Sequence, residues 1–231
     1  MLEIQNLTKN YGKKIALNDI SYKFDTGVYG LLGPNGSGKS TIMNIIADVI
    51  PMSRGNIIYE GKQISKLGET YRECIGYLPQ NCGLINNFSA YDNLKYFALL
   101  RGVPKSELDK RTDYALQSVN LFERKKDKVD SFSGGMKRRL AIAITIIADP
   151  QILIFDEPTV GLDPKERHRF KELIMDLGKT KTIILSSHIV SDIKETSTKL
   201  LILKEGVLVF DSTKIDFNIE EKYLEYFPEN E

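Results

Sequence analysis

The strongest chemical signal in the chain is the run Gly33-Pro-Asn-Gly-Ser-Gly-Lys-Ser40, followed by Thr41. It fits the spacing G-x-x-x-x-G-K-[ST] of a phosphate-binding loop. Gly33, Gly36 and Gly38, with Pro34, Asn35 and Ser37 between them, let the backbone curl into a concave nest of inward N–H groups. A helix beginning near Lys39 adds the positive end of its dipole. Lys39 can then reach β- and γ-phosphates, and the Ser40 hydroxyl can ligate Mg²⁺. The apolar residues 28–32 before the loop supply the strand that must feed it. These residues predict a nucleotide site.

Two carboxylates are placed to act on the same phosphates. Asp156 and Glu157 end the apolar run Gln151-Ile-Leu-Ile-Phe155, the pattern of a central parallel strand opening at its carboxyl end. In a chain with a phosphate loop that end faces the phosphates. Asp156 is then placed to hold Mg²⁺ through water, and Glu157 to polarise an attacking water. A second buried strand, residues 181–187, delivers His188 to an equivalent position, where imidazole could contact the γ-phosphate or orient the water. His168 lies mid-helix among Arg167, Arg169 and Lys171 and is given no role.

Two further features allow two readings each. Ser133-Gly134-Gly135 opens a helix over residues 136–148. Ser133 has the chemistry of an N-cap and the glycines permit close backbone approach, so the stretch is either a second anion site or the cap of a buried helix. Tyr11, in a turn over residues 9–12, is either a platform for an adenine ring, with stacking of ~1–3 kcal/mol, or an aromatic covering a sheet edge.

The elements that must position these groups read as an α/β chain. Residues 2–7 alternate apolar and polar as a half-buried strand, and residues 15–24 form another. A helix over 39–49 carries Ile42, Ile45, Ile46 and Val49 at helical spacing and ends at Pro51. Residues 54–61 give a strand and hairpin turn, and a brief strand over 75–79 delivers Gln80 into a loop. From Asn81 to about residue 128 helical spacing takes over, as in Tyr91, Leu94, Phe97, Ala98 and Arg101, which predicts a helical lobe inserted into the α/β core. Asp163 lies in the turn Gly161-Leu-Asp-Pro164 before a helix over 165–178. Strands over 199–203 and 207–210 make a closing hairpin. The acidic tail, 216–231, carries Ile219, Tyr223 and Phe227 at helical spacing.

Composition excludes several classes. The 231 residues are 42% hydrophobic and carry a formal charge of +1, so no global field recruits nucleic acid or anionic lipid. Apolar runs are strand-length, short of the ~20 residues of a membrane span. The first residues lack the basic and apolar regions of a signal peptide. Cys74 and Cys82 show no metal-ligand or redox spacing. Arg124-Lys-Lys-Asp-Lys128 has no interleaved aromatics and reads as a solvated turn. The expected setting is the cytosol, without a nucleic-acid partner.

Taken in order, from Tyr11 to about Phe210, these stretches resemble the nucleotide-binding subunit of ATP-binding cassette (ABC) transporters. The resemblance implies a P-loop NTPase core with a mixed sheet, an N-terminal antiparallel β portion and an inserted helical lobe. It implies one domain over residues 1–231, with the core over 1–80 and 150–213, the lobe over 81–149 and a peripheral tail over 214–231. Tyr11 becomes the adenine aromatic and Gly33 to Thr41 the Walker A motif. Gln80 becomes the glutamine that contacts Mg²⁺ and senses the permease. Phe132 to Met136 stands for the signature, Ile152 to Glu157 for Walker B, Val160 to Asp163 for the D-loop and His188 for the switch histidine.

ATP and Mg²⁺ follow as cofactors, and a separate transmembrane permease as a partner that holds the subunit at the inner face of the membrane. The resemblance also implies that two subunits pair head to tail, so that the P-loop of one and Ser133-Gly134-Gly135 of the other sandwich ATP. Two departures stand out. The signature reads Phe132-Ser-Gly-Gly-Met136 rather than Leu-Ser-Gly-Gly-Gln, which removes a polar side chain at Met136. The D-loop reads Val160-Gly-Leu-Asp163 rather than Ser-Ala-Leu-Asp. Together with Lys137-Arg-Arg-Leu140 they look like the ABC-2-type exporter branch. The competing reading is a soluble ABC ATPase unconnected with transport, for example in cofactor assembly. A non-ABC P-loop kinase or GTPase would have no reason to carry Ser133-Gly-Gly before a helix.

Overall fold

A computed structural model describes residues 1–80, 83–215 and 217–228. Asn81, where the helical lobe was expected to begin, lies outside these residues, as do Cys82, Asp216 and the last three residues of the acidic tail. Two sheets organise the chain. Strands β1 (Leu2–Tyr11), β2 (Lys14–Phe24), β4 (Arg54–Tyr59) and β5 (Lys62–Gln63) form an antiparallel sheet of order β2-β1-β4-β5. A second sheet takes β3 (Gly27–Leu32), β6 (Ile75–Leu78), β7 (Ile152–Asp156), β8 (Thr182–Ser186), β9 (Lys199–Lys204) and β10 (Val207–Ser212). Its order is β10-β9-β3-β8-β7-β6, parallel throughout except for β10 at the edge.

The continuous apolar runs have the cause expected of parallel strands, because both faces of the second sheet are covered. Ile152, Ile154 and Ile184 point into a core shared with α1 (Lys39–Ile46) and with Leu2, Ile4, Leu7, Leu17 and Ile20 of the antiparallel sheet. Leu153, Phe155, Ile183 and Leu185 point the other way. There they meet α4 (Ala90–Leu100), α5 (Leu108–Ser118), α6 (Gly134–Ile146) and α7 (Pro164–Leu177). Among the described residues no helix is long and apolar enough to cross a membrane.

Several boundaries differ from the sequence reading. The turn expected over residues 9–12 is tighter: β1 runs to Tyr11, which pairs with Lys14, so the turn is Gly12 and Lys13 alone, with Gly12 at φ +59°. The helix expected to reach Val49 ends at Ile46, because Asp48 turns into the left-handed region at φ +57° and breaks the repeat before Pro51. Three short helices were not foreseen: α2 (Ile64–Leu67), α3 (Glu69–Glu73) and α8 (Val190–Thr196). Each is too short to show a period. Helix α8 sits on β3 where Gly30 leaves room, since a Cβ there would lie 2.4 Å from Ile193 Cγ2. The tail forms α9 (Ile219–Tyr226) and buries Ile219.

Candidate functional site

The phosphate loop joins β3 to α1, and its shape depends on glycine. Gly33, Gly36 and Gly38 all have positive φ, at +155°, +84° and +109°. At Gly33 a Cβ would lie 2.3 Å from the Leu203 carbonyl oxygen, and at Gly38 it would lie 2.8 Å from that of Ala16. The loop is therefore pressed onto β9 and β2. Gly206 holds it from the β9–β10 turn, donating its N–H to Ser37 O at 2.9 Å. Gly38 caps α1 with no side-chain hydrogen bond, so nothing bulky shields the first turn from an anion.

Lys39 is buried, and its Nζ donates to Gly33 O at 2.7 Å and Pro34 O at 3.1 Å. Burial lowers its pKa below the ordinary lysine value, opposed by the charges of Glu157 and Asp156. The cleft beyond it has a volume of ≈ 320 Å³. Its walls bring together Tyr11, Asn35, Gly36, Gly38, Lys39, Ser40, Thr41, Gln80, Asp156, Glu157 and His188, with Lys14 and Ala16 beside them. These residues come from both sheets, so the cleft exists only where the sheets meet. Gly33, Pro34 and Ser37 shape the loop; Pro34 and Ser37 also face a second cleft beside Tyr223 and Phe227.

Strands β7 and β8 end side by side at the floor of the cleft, with Asp156 paired in register with Ser186. The Ser186 hydroxyl donates to Asp156 Oδ1 at 2.6 Å and accepts the Glu157 N–H at 3.1 Å. Glu157 is a buried carboxylate in a left-handed backbone at φ +51°, a conformation that costs a non-glycine residue roughly 1–2 kcal/mol. Its Oε2 lies 2.9 Å from His188 Nδ1. Ser186 carries no motif in the sequence, and its role depends on β8 lying beside β7.

Not every expected residue joins the cleft. Ser133 is the N-cap of α6, its Oγ accepting the Met136 N–H at 3.3 Å, and with Gly134 it is exposed. Asp163 caps α7, accepting the Glu166 N–H at 3.0 Å, with Pro164 at the first helical position. Neither these two nor Gly135 lines the cleft. Tyr11 does, at the end of β1 and 51% exposed, with Lys9 Nζ 5.1 Å from its ring centre.

The donor set fits a divalent cation bound with a nucleotide: a hydroxyl at Ser40 and a buried carboxylate at Asp156, across the cleft from a lysine. Hard oxygen ligands in small number are what Mg²⁺ takes when phosphates supply the rest. Among the described residues no cluster of three or more acidic, His or Cys side chains offers a protein-only metal cage.

A parallel sheet with a glycine nest after one strand, and acids at the end of another, defines the P-loop nucleotide hydrolases. Within that class the family model for the ABC transporter matches residues 17–160, and the chain belongs to that family. It is 40% identical over 213 residues to the lantibiotic transport ATP-binding protein SrtF of Streptococcus pyogenes, covering 91% of this chain and 90% of that protein. It is 38% identical over 218 residues to the linearmycin resistance ATP-binding protein LnrL of Bacillus subtilis (strain 168), covering 94% and 70%. Among solved structures it superposes on a dimeric ATP-binding cassette in a post-hydrolysis state with ADP and Pi, with a TM-score of 0.84 at 25% identity. That match covers 94% of this chain and 100% of the other. The protein is an ATP-binding, ATP-hydrolysing subunit that powers a membrane transporter.

Proposed function

We propose that two copies of this chain close head to tail on two Mg²⁺–ATP and drive export through a separate permease at the inner face of the membrane. The observation that carries the pairing is a separation within one chain. The phosphate loop, Asp156, Glu157 and His188 share a cleft, whereas the exposed helix N-terminus at Ser133 and Gly134 lies outside it. A second copy supplies that N-terminus to the γ-phosphate. Export is supported by the relatives, one named for lantibiotic transport and one for linearmycin resistance, and by the signature and D-loop departures at Met136 and Val160.

Lys39 leaves the Gly33 and Pro34 carbonyls for the β- and γ-phosphates. Tyr11 offers its ring to adenine, and Asn35 and Thr41 line the phosphates. Ser40, Asp156 and Gln80 would hold Mg²⁺, which would supply charge neutralisation to the phosphates. Glu157 takes the proton of the attacking water, while His188 fixes the carboxylate through Oε2. Ser133, Gly134 and Gly135 of the second copy add donors to the transferring group, and Asp163 orders the loop beside them. Most of the rate enhancement then comes from positioning and charge stabilisation.

The test is Mg²⁺-dependent ATP hydrolysis against protein concentration, wild type beside Glu157→Gln. A rate per subunit that climbs with concentration, and disappears in the variant, supports the composite site. A rate that stays flat where the protein is monomeric overturns it.

A further inference from the structure

Arg138 is a buried guanidinium on the second turn of α6, and what it holds is backbone. It is 7% exposed. Its Nη2 donates to Asp156 O at 2.6 Å and Glu157 O at 2.7 Å, and its Nε donates to Pro158 O at 3.2 Å. Its Nη1 reaches Pro79 O and Gln80 O, each at 3.1 Å. One planar group therefore grips the end of β7, the loop after β6 and the helix that begins at Ser133.

Two physical consequences follow. First, Glu157 sits at φ +51°, and such a conformation persists in a non-glycine residue only where the surroundings over-determine it. The guanidinium takes the carbonyls on both sides of the residue's N–H, and Ser186 Oγ takes the N–H itself. Second, the groups that meet the phosphates from three directions become one body. Arginine's fixed fork can do this; a lysine ammonium, a point charge with three rotatable donors, cannot match the same set of carbonyls.

We propose that Arg138 is a positioning residue that fixes the backbone of Glu157 and ties it, through the same guanidinium, to Gln80 and to the helix behind Ser133. Movement of α6, when its N-terminus engages a nucleotide, then reaches the Glu157 carboxylate and the Gln80 loop without delay. Arg138 touches no reacting atom. The inference rests on Glu157 acting on the attacking water, as proposed above.

The experiment compares Arg138→Lys and Arg138→Gln with wild type, measuring ATP affinity by titration of a fluorescent ATP analogue and kcat at saturating Mg²⁺–ATP. The expected result for both is a kcat lower by roughly 10- to 100-fold, the cost of displacing one reacting group by about an ångström. Analogue affinity stays within about threefold, the signature of an interaction used in the transition state rather than in binding. A kcat retained by the lysine variant, or a loss of affinity that parallels the loss of rate, overturns the proposal. Glu157→Gln is the control: if that variant still hydrolyses ATP, it is the glutamate assignment that fails, not the role of Arg138.

Should neither variant fold, hydrogen exchange on the wild-type protein decides. Amides within 78–80, 134–139 and 156–158 are expected to open together and to gain protection together on adding the ATP analogue. Independent opening of the three segments overturns the proposal.

Discussion

Nδ1 of His188 and Oε2 of Glu157 meet at 2.9 Å across the ends of two adjacent parallel strands. The two side chains differ in setting: that of His188 is 52% exposed and that of Glu157 is 9% exposed. A carboxylate buried next to Asp156 needs a partner, and the imidazole supplies one from the solvent side of the cleft. The contact leaves Oε1 of Glu157 outside this hydrogen bond. Fixing one carboxylate oxygen sets the direction of the other.

Replacing His188 by alanine is expected to lower kcat by about 10²-fold, the lower range for a group that assists proton transfer. ATP affinity should change little. Because the imidazole is half exposed, the contact contributes little to folding, and the midpoint of urea unfolding should stay near that of wild type. Single-turnover hydrolysis beside equilibrium unfolding checks both. An intact rate would remove His188 from the mechanism.

The glycines of the phosphate loop should separate into two kinds. Gly36→Ala meets nothing within 4 Å, so its cost is the strain of a side chain at φ +84°, about 1–2 kcal/mol. Gly33→Ala has positive φ and also drives a methyl against the Leu203 carbonyl, which cannot rotate away. It should push the loop off β9 and abolish ATP binding, while Gly36→Ala weakens it. Isothermal titration with ATP distinguishes the two, and equal effects would contradict the packing argument.

Groups whose function depends on neighbours in sequence were legible there. The spacing of Gly33, Gly36, Gly38, Lys39 and Ser40 specifies its own geometry, and the apolar runs before Asp156 and His188 announce buried parallel strands. What could not be read is long-range. Arg138 draws its carbonyl partners from 18 to 59 residues away, and in the sequence it is one cation in a basic run. Ser186 gains its meaning only when β8 lies beside β7. Helix α8 was invisible because seven residues anchored chiefly by Ile193 and Thr196 show no period. The extension of β1 through Tyr11 follows from its ladder with β2, a pairing that alternation over residues 2–7 does not reveal.

Alkaline pH should destabilise the fold through its buried and half-buried tyrosines. Tyr71 is fully buried, and its hydroxyl donates to Ile46 O at 2.7 Å. Burial first, and then the charge of Asp48, raises its pKa well above the ordinary value of 10.0. Burial likewise pushes Tyr22 and Tyr77 up to about 12. Above the unfolded pKa the unfolded chain has released protons that the folded chain retains, so stability falls as pH rises. The stabilisation is complete below about pH 10 and is lost progressively through pH 12 and beyond. Tyr71→Phe should cost ~1–3 kcal/mol at pH 8, since Ile46 O loses its buried donor. The variant should also show a shallower decline between pH 9 and 11, read from urea midpoints. An unchanged slope would mean that Tyr71 ionises without unfolding.

The exposed end of α6 offers the sharpest separation of a structural cap from a shared site. A Cβ at Gly134 meets nothing within 4 Å, whereas one at Gly135 comes 3.0 Å from Gly161 O. Gly134→Asp therefore adds a side chain in open space on the first helical residue, where an acidic group is favoured by the helix dipole by about 0.3–1 kcal/mol. If Ser133 and its glycines only cap a helix, the variant should be as stable as wild type and fully active. If the N-terminus serves the γ-phosphate of a second copy, the added carboxylate repels it. Hydrolysis should then fall roughly 10²- to 10³-fold, as when a donor to the transition state is lost. ATP binding to the monomer, which uses the cleft around Lys39, should be retained. Unfolding midpoint, ATP titration and hydrolysis on one preparation give all three numbers. A stable variant that binds ATP but does not hydrolyse it places Ser133 to Gly135 in a site completed by a second chain.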